Sequence, residues 1–511
     1  MSNILLAYNN RADAASFAAG SWVASGGVAL SNLGTKDIGE LARSSSAAVT
    51  STRFRVAMAA SYTLRALGLI NHNLSTAATV RLRAGRAVFD VDWASYIAED
   101  RATFSGGAGG TRVTSAGLIA AATTPRINHN PVSLAVLGLL IEEQRTNIVQ
   151  RASSIDNAYW FKDNATVTAD AILSPDGSVN ADKLVETTAT STHGYLNAAT
   201  ETITAAQSYT YSVFVKAAER SFVRLQFNNS AFTNGVQAEF NVSTGAVAGS
   251  RAFGSGTLSE AKIEDAGGGW FLCSITGVVD GVSTAVFVSC FLGTSASTFS
   301  YTGSASSGAY FWGNDPEAGG YRTSYIPTTS AAVTRTADSI TVTSSNFTGI
   351  HSATAGTLYA EFNLLSVTGT RPIVSLDDGT ANERIELYAS GTDLKFKVVD
   401  GGVTQCDITI GTVAANTFYK ATASWAANDF TGCLTGVMAA SPDTSGTLPT
   451  VDRQRVGSDQ AGNYQNGHQK RTARFLERLT NAEQQLITVS GIDALGYDSG
   501  WVNALRFSFI G

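Results

Sequence analysis

Leu358-Tyr-Ala-Glu-Phe-Asn-Leu364 reads as a half-buried β-strand. Leu358, Ala360, Phe362 and Leu364 alternate with Tyr359, Glu361 and Asn363, the period of two that sends successive side chains to opposite faces of a sheet. Leu394, Phe396 and Val398 alternate with Lys395 and Lys397 in the same way. One face packs on a core and the other meets water, as antiparallel sheets allow. Outward from this stretch the pattern recurs at residues 209–215, 222–227, 270–275, 285–292 and 309–313, with glycine-rich turns between them. Many short strands at such spacing predict sandwiches or jelly rolls. The one helix expected starts at Thr480, which forms a capping box with Glu483.

A chain of 511 residues exceeds what one core fills, and three domains is the natural prior at roughly 150 residues each. The predicted organisation is all-β: three tandem β-sandwich or jelly-roll domains, an extended connector, and one short helix in the C-terminal domain. Residues 1–85 form a small sandwich and candidate anchor. Residues 86–146 form the connector, with the glycine run 104–110 turning tightly or flexing and the apolar run 134–141 laid against a neighbouring domain. Residues 147–340 form a jelly roll and 341–495 a further sandwich. The tail 496–511 carries Trp501, Phe507 and Phe509.

Charged residues make up 15% of the chain, below the usual figure of about 25%; serine, threonine, alanine and glycine fill the gap and suit tight turns. A net charge of −6 without a basic stripe argues against nucleic-acid binding. No window approaches the ~18 apolar residues of a membrane span, so no membrane insertion is expected. Met1-Ser-Asn-Ile-Leu-Leu-Ala-Tyr8 has no basic start and no long apolar stretch. No signal peptide is expected, and export must take another route, such as release inside a virus particle. Cys273, Cys290, Cys406 and Cys433 form no CxxC pair and sit in apolar runs. Buried free thiols are the default reading, with a Cys406–Cys433 or Cys273–Cys290 bridge left open.

Several segments resemble a family of tailed-bacteriophage virion appendage proteins (tail fibre, head fibre or baseplate type). The most specific is Pro125-Arg-Ile-Asn-His-Asn-Pro-Val132, followed by Leu137-Gly-Leu-Leu-Ile-Glu-Glu-Gln-Arg-Thr-Asn147. In that family the segment precedes a carbohydrate-binding-module-like jelly roll. Here the jelly roll would run through Ala158-Tyr-Trp160 and Pro175-Asp-Gly177. It would close at Glu317-Ala-Gly-Gly-Tyr-Arg-Thr-Ser-Tyr-Ile-Pro-Thr-Thr329 and Thr334-Arg-Thr-Ala-Asp338. Residues 1–85 resemble a discoidin-like, galactose-binding-like sandwich. Residues 341–495 resemble a concanavalin-like or laminin-G-like lectin sandwich through Phe418-Tyr-Lys-Ala-Thr-Ala-Ser-Trp425, Asn466-Gly-His-Gln-Lys-Arg471 and Arg478-Leu-Thr-Asn-Ala-Glu483.

The resemblance implies a virion component assembled in the bacterial cytoplasm, most simply a tail fibre or tail-tip or baseplate protein contributing to attachment to host-surface glycan. The alternative is a purely structural collar, head-fibre or capsid-decoration protein that contacts only other virion proteins. By analogy the chain is a homo-oligomer, a trimer, although no heptad run supports a coiled-coil stalk.

No enzyme activity, metal or cofactor is expected. Glycanases on lectin-like sandwiches need two facing carboxylates, and Glu361, Asp377, Asp378, Glu383 and Glu386 show no ExDxxE arrangement. Asp377-Asp378-Gly379 reads as a turn rather than a calcium loop. No GxSxG elbow frames a serine, and His72, His129, His193, His351 and His468 lack metal-ligand spacing; His129 and His468 are read as structural hydrogen-bonding groups. Trp160, Trp270, Trp312 and Trp425 have the type for sugar stacking but sit in strand-like runs where large aromatics fill cores. Loop residues Asn382, Arg384, Tyr464 and Asn466 are the glycan-contact candidates.

Overall fold

In a computed structural model of the chain, the described residues are 87–93 and 102–494, with the short strands Ile4–Leu5, Ser16–Ala18, Arg55–Ala57 and Gly68–Leu69. Residues 87–494 make one unit; 1–86 with 495–511 make another. In the latter, Ile4–Leu5 pairs antiparallel with Gly68–Leu69, and Ser16–Ala18 with Arg55–Ala57. The discoidin-like sandwich expected over 1–85 and the tail 496–511 otherwise lie outside the described residues.

Within 87–494 the alternating runs become two β-sandwiches. In the first, one sheet has the order Ala165–Leu173, Val179–Glu186, Gly308–Ala318, Tyr209–Ala217, Trp270–Val278, Thr257–Gly267. The facing sheet has the order Trp160–Asp163, Gly194–Asn197, Ala285–Gly293, Phe222–Asn229, Gly235–Asn241, Ala246–Phe253. Tyr211, Val213 and Val215 from one sheet meet Val223, Leu225 and Phe227 from the other in a closed apolar core, the inward halves of two period-two patterns.

The second sandwich has one sheet in the order Val437–Met438, Asp429–Leu434, Tyr419–Ala426, Ala355–Leu364, Gly467–Phe475, Val136–Ile141, Ile127–His129. Its partner runs Val403–Thr412, Asp393–Asp400, Arg384–Ser390, Thr370–Asp377, Arg453–Val456, Ser339–Thr343, Thr103–Ser105. Leu358, Ala360, Phe362 and Leu364 point into its core beside Leu394, Phe396 and Val398. On the outer face Lys395 reaches Asp407 at 2.9 Å and Lys397 reaches it at 3.6 Å.

Here the structure corrects the expected connector. Its described strands Ala87–Asp92, Thr103–Ser105, Ile127–His129 and Val136–Ile141 are woven into the C-terminal sandwich, while Arg145–Asn147 leads into the next domain as expected, pairing with Gly308–Ala318 and Val333–Arg335 of the first sandwich. Ala87–Asp92 and Val136–Ile141 both pair with Gly467–Phe475, and Thr103–Ser105 pairs with Ser339–Thr343. The physical reason is the apolar character of these segments: Val91, Trp93, Leu139 and Ile141 are core residues, and a buried strand must find partners for its backbone N–H and C=O groups. The glycine run turns tightly, since a Cβ on Gly106 (φ +91°) would meet the Ala337 carbonyl oxygen at 1.8 Å.

One consequence is testable. A fragment 356–511 retains most lectin-like strands but strips Gly467–Phe475 of its partners on one edge. We expect it to be insoluble or unfolded, with dispersed amide signals absent from its NMR spectrum, whereas 87–494 folds.

The helix Asn481–Ser490 has the expected capping box: the Glu483 N–H donates to Thr480 Oγ1 and the Thr480 N–H to the Glu483 carboxylate. It docks on the outer face of a sheet through Gln484, which accepts from Thr422 Oγ1 at 2.9 Å. A second helix, Ser344–Thr348, corrects the expectation of a single one; five residues are too few to show a helical period. All four cysteines are free and buried.

Candidate functional site

Four of the segments quoted for the resemblance, 125–132, 137–147, 317–329 and 334–338, converge on one buried polar cluster where the two sandwiches join. Arg126, Glu142, Arg335 and Asp338 are all buried. Arg126 Nη1 stands 2.9 Å from Glu142 Oε2, its Nη2 pairs with Asp338, and Arg335 Nη1 lies 3.2 Å from the same Glu142 oxygen. Ser324 donates to Glu142 through its backbone N–H at 2.8 Å and its hydroxyl at 2.7 Å. Burial alone would raise the Glu142 carboxyl, but Arg335, Arg126 and Ser324 together hold it down at about 2. Asp338 moves the other way: burial raises it, and Arg126 only partly opposes that. The difference follows from the partners, two guanidinia for Glu142 and one for Asp338.

Glu143, next in sequence, faces a second group. It accepts from the Tyr321 hydroxyl at 2.8 Å and pairs with Arg145, while the guanidinia of Arg145 and Arg371 stand 5.1 and 5.2 Å over the Tyr321 ring. Asn466 completes it: Oδ1 accepts from the Glu143 backbone N–H at 2.8 Å and Nδ2 donates to its carboxylate at 3.1 Å. His468 donates from Nδ1 to Asn363 Oδ1 at 3.0 Å and accepts from Asn128 Nδ2 at 2.9 Å, the assignment that fits both partners; burial holds its pKa down at about 4. His129 Nδ1 lies 3.3 Å from the Val113 carbonyl oxygen. Both histidines are hydrogen-bonding groups of the joint, as expected.

The four glycan-contact candidates therefore do not form one site. Asn466 is 0% exposed, so its reading as an accessible loop contact is corrected: its side chain closes the joint. Tyr464 sits beside it, its carbonyl oxygen accepting from Arg371 at 3.4 Å. Asn382 and Arg384 lie at the other end of the strand Thr370–Asp377, where Asp377 pairs with Arg384. Arg371 and Asp377 are six residues apart, about 20 Å along a strand.

That distal end is built from tied-down loops. Asp377 accepts from the Gly379 N–H at 2.7 Å, and Asp378 from the Thr380 N–H at 2.8 Å, so the Asp-Asp-Gly segment is the expected turn. The Thr380 hydrogen bonds hold the Asp378 carboxyl below its usual range. Glu383 accepts from the backbone N–H of Gly401 at 2.7 Å and of Thr450 at 3.1 Å, lacing three loops together. Arg384 pairs with Glu386 at 2.9 Å. Each acid weighed for catalysis is thus engaged locally: Asp377 by Arg455 at 2.9 Å and Glu361 by the Tyr359 hydroxyl at 2.5 Å. Among the described residues, no group of three His, Cys, Asp or Glu is placed to hold a metal ion. No described helix is long and apolar enough to cross a membrane.

The four tryptophans weighed for sugar stacking are core residues, between 1% and 3% exposed. What sequence reasoning missed is the joint, although its signal was present: a charged Glu142-Glu143-Gln-Arg145 directly after the most apolar run of the connector, in a chain poor in charge.

No family model matches the chain, and no curated protein does. Solved structures do. The carbohydrate-binding module CBM40 of the Ruminococcus gnavus IT-sialidase, bound to α2,3-sialyllactose, is 14% identical over 27% of this chain and 84% of that one, with a TM-score of 0.24. The NanB sialidase from Streptococcus pneumoniae is 14% identical over 29% of this chain and 26% of that one, with a TM-score of 0.26.

The carboxyl groups also set a pH profile. Glu142 and Glu264 fall from 4.5 to about 2; burial opposes both, and their cationic partners outweigh it. Depressed in the fold, they contribute stability that is present above pH 4.5 and lost as pH falls toward 2. Burial raises Asp182 from 3.8 to about 6. Its contribution is fully present below pH 3.8 and lost as pH rises through 6. His351 and His468, held down at about 4 by burial, run against Asp182 over the same window, and on the acid side we expect the Tm of the full chain to fall as pH drops from about 4.5 toward 2. A Tm that stays level over that fall would contradict this.

Proposed function

We propose that this chain is a non-enzymatic structural component of a tailed-phage virion, a tail fibre or tail-tip or baseplate protein that attaches to host-surface glycan. The observation that carries the reading is the placement of the resemblance motifs. Those at 125–147 and 317–338 are spent on a buried joint at one end of the C-terminal sandwich, which leaves at its other end a set of polar loops laced by Glu383. Loops fixed before contact lose little freedom on binding, which favours recognition. The same resemblance supports a homotrimer and other virion proteins as partners.

Antibodies against the chain, applied to particles released from the bacterium that produces them, test this reading. Label on the tail together with blocked adsorption is the expected result. Label on capsid or collar with adsorption unchanged would overturn it in favour of a decoration role.

A further inference from the structure

Arg474 is an arginine inside a β-sandwich core. Leu358 and Arg474 are directly opposed in neighbouring antiparallel strands, so they share a face, and Leu358 faces the core. Arg474 is 1% exposed. Its Nε and Nη1 are buried without a hydrogen-bond partner, and burial pulls its pKa down to about 9. Only Nη2 is engaged, donating to Nδ1 of His351. The guanidinium carbon stands 5.1 Å over the Phe347 ring, which stacks on His351 at 4.9 Å. A buried cation without a counter-charge is costly, and such groups cluster at binding sites.

A cleft opens beside this arrangement. It measures about 470 Å³, and Phe347 and His351 line it together with the hydroxyl-bearing Thr343, Ser344 and Thr348. That volume falls within the roughly 300–1,000 Å³ of small-molecule sites. A guanidinium only donates, so Nδ1 of His351 must accept and its proton sits on Nε2. Burial, then the charge of Arg474, hold His351 down at about 4, so the neutral ring is the form present. Arg453 and Asp452, also on the wall, pair with each other at 2.7 Å; among the described residues no carboxylate pairs with Arg474.

We propose that this cleft takes a carboxylate-bearing sugar, whose carboxylate accepts from His351 Nε2–H and supplies the counter-charge that Arg474 lacks. The hydroxyls of Thr343, Ser344 and Thr348 meet those of the sugar. This rests on the glycan-attachment reading and gives it a ligand class and an address, at the same end of the sheet as Asn382 and Arg384, since Arg453 Nη2 donates to the Asp378 carbonyl oxygen at 3.0 Å. Arg474 is a positioning residue, acting through His351.

Ligand-observed NMR titration of the full chain with D-glucuronate tests it, with D-glucose and acetate as controls. We expect glucuronate to bind saturably and at least about tenfold more tightly than either control, over glucose through the charge-assisted contact of its carboxylate and over acetate through its ring hydroxyls. Arg474→Met should weaken glucuronate at least about tenfold while leaving Tm unchanged or higher, because an apolar side chain relieves the buried charge. Thr348→Trp, at the exposed rim, fills the cleft without touching the core and should abolish binding. Equal binding of acetate or glucose, undiminished binding in either folded variant, or no glucuronate binding by the unmodified chain each overturns the proposal. A chain that binds host polysaccharide but ignores glucuronate sinks this cleft and leaves the attachment reading standing; silence toward both sinks both.

Discussion

Glu142→Ala is expected to destabilise the 87–494 unit by about 3–5 kcal/mol, the range for breaking a buried ion pair from one side. The substitution leaves buried Arg126 with Asp338 as its ion-pair partner, takes the Glu142 ion pair from buried Arg335, and orphans the two Ser324 donors. Glu142→Gln should recover little, because its amide hydrogens face two guanidinia that cannot accept. The measurement is urea denaturation, read as a drop in midpoint with an unchanged slope, since the surface exposed on unfolding is the same. A loss below about 1 kcal/mol, as at a surface pair, would show that the joint is not organised by this cluster.

Trp425→Ala is expected to cost a similar amount, about 3–5 kcal/mol, through the cavity left by a large core aromatic. The side chain is 1% exposed and lies in the C-terminal core with Phe396 and Phe430. It fits so closely under Gly356 that a Cβ there would meet its ring at 2.3 Å. The sugar-stacking alternative makes the opposite forecast, with binding lost and stability kept. Denaturation and polysaccharide binding on the same sample separate the two: stability falls and binding by the folded fraction persists.

The second sandwich shows where the sequence was legible. Leu358 to Leu364 and Leu394 to Val398 each disclose a strand and its inward face, because period two is a local property. Partners are not local. Nothing near Val136–Ile141 says that it pairs with Gly467–Phe475, more than three hundred residues away, so an apolar run was readable as buried while its sheet was not. The joint failed for a related reason: Glu142, Arg335 and Arg126 gain meaning only when folding brings them within 3.2 Å.

The candidate site follows the same division. Asn382 and Asn466 look alike in sequence, both polar and in turn-rich segments, yet Asn382 is exposed and Asn466 is closed over Glu143. Composition distinguishes loops from strands, and only the fold tells which loop end faces a neighbouring sandwich. Arg474 does not stand out in sequence, because its inward direction depends on its register opposite Leu358.

The most direct test of the attachment reading is binding of the full chain to purified surface polysaccharide of the host bacterium, by surface plasmon resonance with free polysaccharide as competitor. Saturable binding that the competitor removes and that Thr348→Trp greatly weakens is the expected result. A folded full-length chain that binds neither the polysaccharide nor intact host cells would contradict it.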